Sequence, residues 1–164
     1  MKKLFSLLLT AAMVCSLAVT AGAADVVPIS ASANGTAAPV AAPAPDLTGS
    51  TVILHTNDVH GAIAGYAKVA ALKQYYQDCG AYVLLLDAGD YIQGDPTVST
   101  SEGATAVELM NLAGYDVASM GNHEFDYGYQ NLKDLEADAD FTIVDANVLY
   151  NGQVAFEDNV VFTA

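Results

Sequence analysis

The sequence predicts an α/β domain built on a parallel sheet, and three observations predict it. Short β-rich runs alternate with segments whose apolar residues recur at helical spacing. Gly80 and Gly114 close two of those helical segments. One run, Tyr82–Leu86, is apolar throughout, the pattern of a strand covered on both faces. Strands and helices in alternation give parallel strands joined by right-handed crossovers.

Taken in order, the chain changes character twice before it becomes globular. Met1-Lys2-Lys3 leads into Leu4–Ala21, where only Ser6, Thr10, Ser16 and Thr20 are polar. Ala21-Gly22-Ala23 then offers the small-x-small pattern of a signal-peptidase site, so residues 1–23 read as a cleaved signal peptide. An uncleaved anchor is the competing reading; the run is short for a bilayer span and ends without basic residues. Cys15 follows Val14 in mid-run, where a lipidated cysteine would follow a small residue. Residues 24–50 hold four of the five prolines among Ala, Val, Ser, Thr and Gly, and read as a disordered linker.

Residues 51–164 carry the α/β pattern. Thr51–Thr56 is the first strand. Val69, Leu72, Tyr76 and Cys79 mark a first helix that Gly80 stops, with Cys79 on its buried face. Tyr82–Leu86 is the second strand. Ala106, Leu109, Met110 and Ala113 mark a second helix, and Val117–Met120 a third strand. Leu132, Leu135 and Ala139 mark a third helix, and Phe141–Val144 a fourth strand. With the signal removed, Cys79 is the sole cysteine, so no intrachain disulfide can form.

Charge narrows the function. Removal of Lys2 and Lys3 leaves 3 lysines and no arginine against 19 carboxylates, a net charge of −16. Such a chain has no basic face with which to neutralise phosphates, which excludes a nucleic-acid polymer as partner. It also argues against docking on anionic lipid.

The chemistry-bearing residues fall after strands. Asp58 and His60 follow the first strand, Asp87 and Asp90 the second, and Asn122, His123 and Asp126 the third. In a parallel sheet those ends share one edge, so three clusters distant in sequence converge. In Asp58-Val59-His60, residues two apart in extended backbone point the same way, so a carboxylate and an imidazole can share one cation. An ordinary Asx turn explains that pair equally well. Gly89 lets the backbone approach a ligand closely, and Asp90 then has room to offer both oxygens to two cations. A turn rich in Asp and Gly is the plain alternative. Asn122 brings an amide oxygen without charge. Asp126, three residues after His123, is close enough to hold one imidazole nitrogen and favour the protonated ring; helix capping alone would also explain an Asp there. His55 stands an odd number of residues from Asp58 and reads as a core histidine with a satisfied hydrogen bond. Glu124 reads as a surface or salt-bridge residue. Tyr75, Tyr76, Tyr82 and Tyr91 read as core and rim packing.

Leu54-His55-Thr56-Asn57-Asp58-Val59-His60-Gly61, Asp87-Ala88-Gly89-Asp90 and Gly121-Asn122-His123-Glu124-Phe125-Asp126, in that order, resemble the metallophosphoesterase superfamily. Within it the chain resembles the secreted 5′-nucleotidases, a family that includes 2′,3′-cyclic nucleotide phosphodiesterases. Asp145-Ala146-Asn147-Val148 is similar to the end of the family's next strand. The resemblance implies part of a four-layer α-β-β-α sandwich with two divalent metal ions, zinc or manganese before others. It implies that Asp58 and His60 bind the first metal, that Asp90 bridges both, and that Asn122 binds the second. It assigns His123, oriented by Asp126, to the phosphate of a nucleotide or other small phosphoester. It also implies three further histidines downstream and a separate C-terminal domain that clamps the base. No histidine follows His123, and the chain ends in the apolar run Val160-Val161-Phe162-Thr163-Ala164, so it reads as the amino-terminal part of such an enzyme. The exporting signal places it outside the cytoplasm: secreted, or in a bacterial cell envelope. A non-catalytic exported binding module with an incomplete metal site is the alternative.

Overall fold

The structure, a computed structural model, describes residues 43–163. The signal peptide and most of the linker lie outside the described residues. Leu47 and Ser50, at the end of the segment read as linker, are fastened to the domain: the Leu47 amide donates to the Cys79 carbonyl at 2.7 Å, and the Ser50 carbonyl accepts from Tyr82 at 2.9 Å.

The alternation of strand and helix is present as expected. In order run β1 (Thr51–Thr56), α1 (Tyr66–Asp78), β2 (Tyr82–Asp87), α2 (Pro96–Thr100), α3 (Ala104–Ala113), β3 (Val117–Ala118), α4 (Gly128–Asp138) and β4 (Thr142–Ile143). A hairpin of β5 (Leu149–Tyr150) and β6 (Gln153–Val154) follows. The first four strands form one sheet in the order β1-β2-β3-β4, and every neighbouring pair is parallel. The third and fourth strands are shorter than the apolar runs that predicted them. Asp95 caps α2 by accepting from the Thr97 amide at 2.9 Å, and Pro96 occupies its first turn. Gly114 ends α3 in a left-handed conformation.

Strand order explains which face is covered. Consecutive right-handed crossovers in the order 1-2-3-4 place every connecting helix on the same side of the sheet. On that side Leu54, Val83, Leu85, Ala118 and Ile143 pack with Tyr66, Val107, Met110, Leu132 and Leu135 from the helices. The opposite side behaves differently. Tyr82 is exposed and Leu84 and Leu86 are half-buried, so the described residues cover β2 on one face, not the two that its apolar run predicted. His55 lies on that second face beside Ile53 and is exposed, so it is not the core histidine expected from the sequence. His55 occupies the face opposite Leu54 and Thr56, as strand alternation predicts, but that face is open among the described residues.

Cys79 is buried, as expected, in the cap position that ends α1. Lysines are sparse and mostly committed. Lys73 reaches the Gly114 carbonyl at 2.5 Å and Asp116 at 2.8 Å, while Lys133 pairs with Glu136 and lies over the Phe156 ring. Lys68, in the first turn of α1, is exposed.

Candidate metal centre

Three connections leave the carboxyl ends of β1, β2 and β3, and a lattice of backbone bonds draws them together. The Asp58 amide donates to the Gly89 carbonyl at 3.0 Å, and the His60 amide to the Asp90 carbonyl at 2.9 Å. The Asp95 amide in turn donates to the His60 carbonyl at 3.0 Å. Two glycines permit the closest approach. A Cβ on Gly89, whose φ is +103°, would lie 2.2 Å from the Gly121 nitrogen, and one on Gly121 would lie 2.2 Å from an Asp90 carboxylate oxygen. Only glycine can occupy either position without moving a loop.

Left-handed backbone marks the same spot. Asp58, His60 and Asp90 have φ of +52°, +46° and +62°. For residues with a Cβ this costs free energy and persists only where the surroundings hold it, which happens most often at functional sites.

The side chains converge accordingly. Ligand atoms of His60, Asp90 and His123 lie within 4.8 Å of one another. Asp58 Oδ1 is 3.7 Å from His60 Nε2, and Asn57 donates to the other Asp58 oxygen. The His60 and His123 rings meet edge-on with centroids 5.2 Å apart. Asp90 is 8% exposed, and one of its oxygens accepts the His123 amide at 2.8 Å, leaving the other for a ligand. His123 Nδ1 stands 2.7 Å from Asp126 Oδ2. That hydrogen bond, more than the nearby carboxylate charges, raises the His123 pKa above its ordinary value and favours the imidazolium. Asp126 is therefore not the cap of α4, whose cap position is Tyr127 without a side-chain bond. Asn122 is exposed just ahead of the tight turn His123–Phe125.

Mixed carboxylate and imidazole donors, gathered at this distance and partly open to solvent, suit a borderline divalent cation. The residues present thus fit a metal. The trio of His60, Asp90 and His123 adds the His123 ring to the ligand-bearing group, next to the phosphate role that the resemblance gives it.

The family model described as calcineurin-like phosphoesterase matches residues 51–161. The chain belongs to that family. Among curated phosphoesterase relatives, the 5′-nucleotidase of Bos taurus is 36% identical over 121 residues, which is 63% of this chain and 21% of the bovine protein. A snake venom 5′-nucleotidase of Gloydius brevicauda is 38% identical over 120 residues, 63% of this chain and 20% of that protein. The chain therefore spans about a fifth of the length of those relatives. Among solved structures, the calcineurin-like phosphoesterase YfkN from Bacillus subtilis superposes with a TM-score of 0.56 at 30% identity. It covers 64% of this chain and 39% of its own. A 5′-nucleotidase precursor from Thermus thermophilus gives 0.54 at 31% identity, over 58% of this chain and 22% of that one.

Two features of the site differ from the sequence expectation. Glu124 is wholly buried rather than at the surface, because its carboxylate turns inward onto backbone amides of both adjoining loops. The signal was available: an acid three residues after Gly121 can reach back to that amide, as in a capping box. Asp87 also points inward. It accepts from Thr56 Oγ1 at 2.5 Å and from the Gly89 amide at 2.7 Å, and Thr56 Oγ1 lies 2.8 Å from the Tyr115 hydroxyl. Burial pushes the Asp87 carboxyl up to about 7, against the opposing pull of those two hydrogen bonds.

Proposed function

We propose that this chain contributes the amino-terminal part of a metal-dependent phosphohydrolase acting outside the cytoplasm on nucleotides or other small phosphoesters. Asp58 and His60 would hold one divalent cation, Asn122 a second, and Asp90 would serve both; the donor set suits zinc, manganese and iron alike, and the family resemblance favours zinc or manganese. When bound, such cations polarise phosphoryl oxygens and acidify water. His123 keeps Nδ1 on Asp126, so its Nε2 can carry a proton toward a phosphoryl or leaving oxygen. The observation that carries this reading is the convergence of His60, Asp90 and His123 within 4.8 Å, each from a different strand end. Relatives named as 5′-nucleotidases support a nucleotide monoester as substrate. Residues 1–23 support export, and the relatives' greater length supports a further domain that recognises the base. Among the described residues no helix is long and apolar enough to cross a membrane.

Phosphate release from a nucleoside monophosphate or a cyclic nucleotide, with and without chelator, tests the proposal in a longer form carrying the downstream segment. Chelation should abolish it. Metal-independent release, or none with manganese or zinc added back, would overturn it. In that form His123→Asn should lower kcat by roughly 10²–10⁴-fold with metal content retained; loss of metal would instead make His123 a ligand.

A further inference from the structure

Glu124 is 0% exposed, and the hydrogen bonds that reach its carboxylate all come from backbone amides. One oxygen accepts from Asp90 at 2.8 Å and from Gly121 at 2.7 Å. The other accepts from Tyr91 at 2.8 Å and Ile92 at 3.4 Å. No lysine is bonded to it among the described residues: Lys73 is held by Asp116, Lys133 by Glu136, Lys68 is exposed, and the chain has no arginine. A buried carboxylate satisfied only by amides costs free energy to desolvate, so its retention calls for a gain elsewhere.

The four amides belong to two separate loops. Asp90, Tyr91 and Ile92 follow β2, whereas Gly121 follows β3 and immediately precedes Asn122 and His123. One side chain thus clasps the two connections that carry the Asp90 carboxylate and the His123 imidazole. The clasp acts where the backbone most needs holding, because Asp90 has a φ of +62° and donates its amide directly to Glu124. From the other side the His123 amide holds an Asp90 oxygen at 2.8 Å.

We infer that Glu124 is the positioning residue of this metal centre, its carboxylate fixing the Asp90 loop against the Gly121–His123 loop and so setting where Asp90 meets a cation. The inference rests on the metal-centre reading above. Groups that support ligands without touching the metal commonly control affinity by about tenfold to a hundredfold.

Calorimetric titration of the whole chain with Mn²⁺ separates the two ideas. Glu124→Gln keeps size and one acceptor oxygen but turns an NH₂ toward the amides; Glu124→Asp keeps charge but withdraws it. Both should weaken Mn²⁺ binding about tenfold or more while circular dichroism still shows a folded chain. Ile143→Val, a core change remote from the clasp, should leave affinity within about twofold. Unchanged affinity in folded Glu124→Gln, or an equal loss in Ile143→Val, overturns the positioning role and leaves the metal centre standing. Failure of the wild type to bind Mn²⁺ overturns the metal centre and the inference with it. Should both Glu124 variants unfold, amide exchange in the wild type decides. Linkage requires Zn²⁺ to slow exchange at Asp90, Tyr91 and Gly121, about tenfold if the clasp sets affinity; rates unmoved by Zn²⁺ overturn it.

Discussion

Asp58 is exposed and its carboxylate is bonded to its own neighbour Asn57, whereas Asp90 is 8% exposed and holds the amide of His123. The same contrast separates the loops. Around Asp90 and Gly121 the backbones touch so closely that neither Gly89 nor Gly121 could gain a methyl group, and Glu124 ties them from below. The Asp58–His60 loop leans on this framework through two backbone bonds, buries Val59 in the core and turns the Asp58 and His60 side chains toward solvent. Half of the site is therefore built like a protein core and half like a surface. Substitutions on the buried side should disturb folding and metal together; those on the open side should disturb metal alone.

The largest expected effect tests the closest contact. Gly121→Ala should destabilise the chain by roughly 3–5 kcal/mol in urea unfolding, since the added Cβ would meet the Asp90 carboxylate and amide, and Asp90 cannot retreat without breaking its bonds to Glu124 and His123. A loss below about 1 kcal/mol would show that the loops yield. Next in size is the pH response of Asp87. Its folded-state pKa of about 7 lies above the ordinary 3.8, so the folded chain binds the extra proton. The associated stability is complete below about pH 4, declines as pH rises through that window and is gone above about pH 7. The His123 shift, also upward, acts in the same direction. Wild type should thus melt at higher temperature at pH 5 than at pH 8, by on the order of 2 kcal/mol from Asp87, and Asp87→Asn should flatten most of the difference.

Asp90→Ala should come third in stability, costing about 1–2 kcal/mol because the His123 amide loses its acceptor, while abolishing Mn²⁺ binding. Asp58→Ala should be smallest. It should change unfolding free energy by no more than about 0.5 kcal/mol yet still weaken Mn²⁺ binding, which would draw the line between the two halves most sharply.

What the sequence revealed follows from where information is local. Asp58, His60, Asp90, His123 and Asp126 stand at switches from apolar run to polar loop, and a parallel sheet gathers such switches at one edge. Strand existence and parallel direction were legible for the same reason. Glu124 was legible only through its three-residue spacing from Gly121; its other three partners are backbone amides more than thirty residues away, and amides leave no trace in composition. The apolar run of β2 could not tell which of its faces the helices cover; that depends on the order of all four strands. Two smaller misses were readable. Asp95-Pro96 carries the cap and first-turn signal of α2. Asn151-Gly152, both at positive φ, is the two-residue turn that joins β5 to β6.

The committed lysines have a consequence beyond structure. Trypsin-like proteases cut only after lysine or arginine, and from residue 51 onward the chain offers three such bonds. Those after Lys73 and Lys133 lie inside α1 and α4, with the side chains engaged by Asp116 and Glu136. Only Lys68 presents an exposed side chain near the start of a helix. A folded chain released among digestive or microbial proteases of this specificity would be nicked slowly and at one place first, a durability that comes from scarcity of targets and not from added stability.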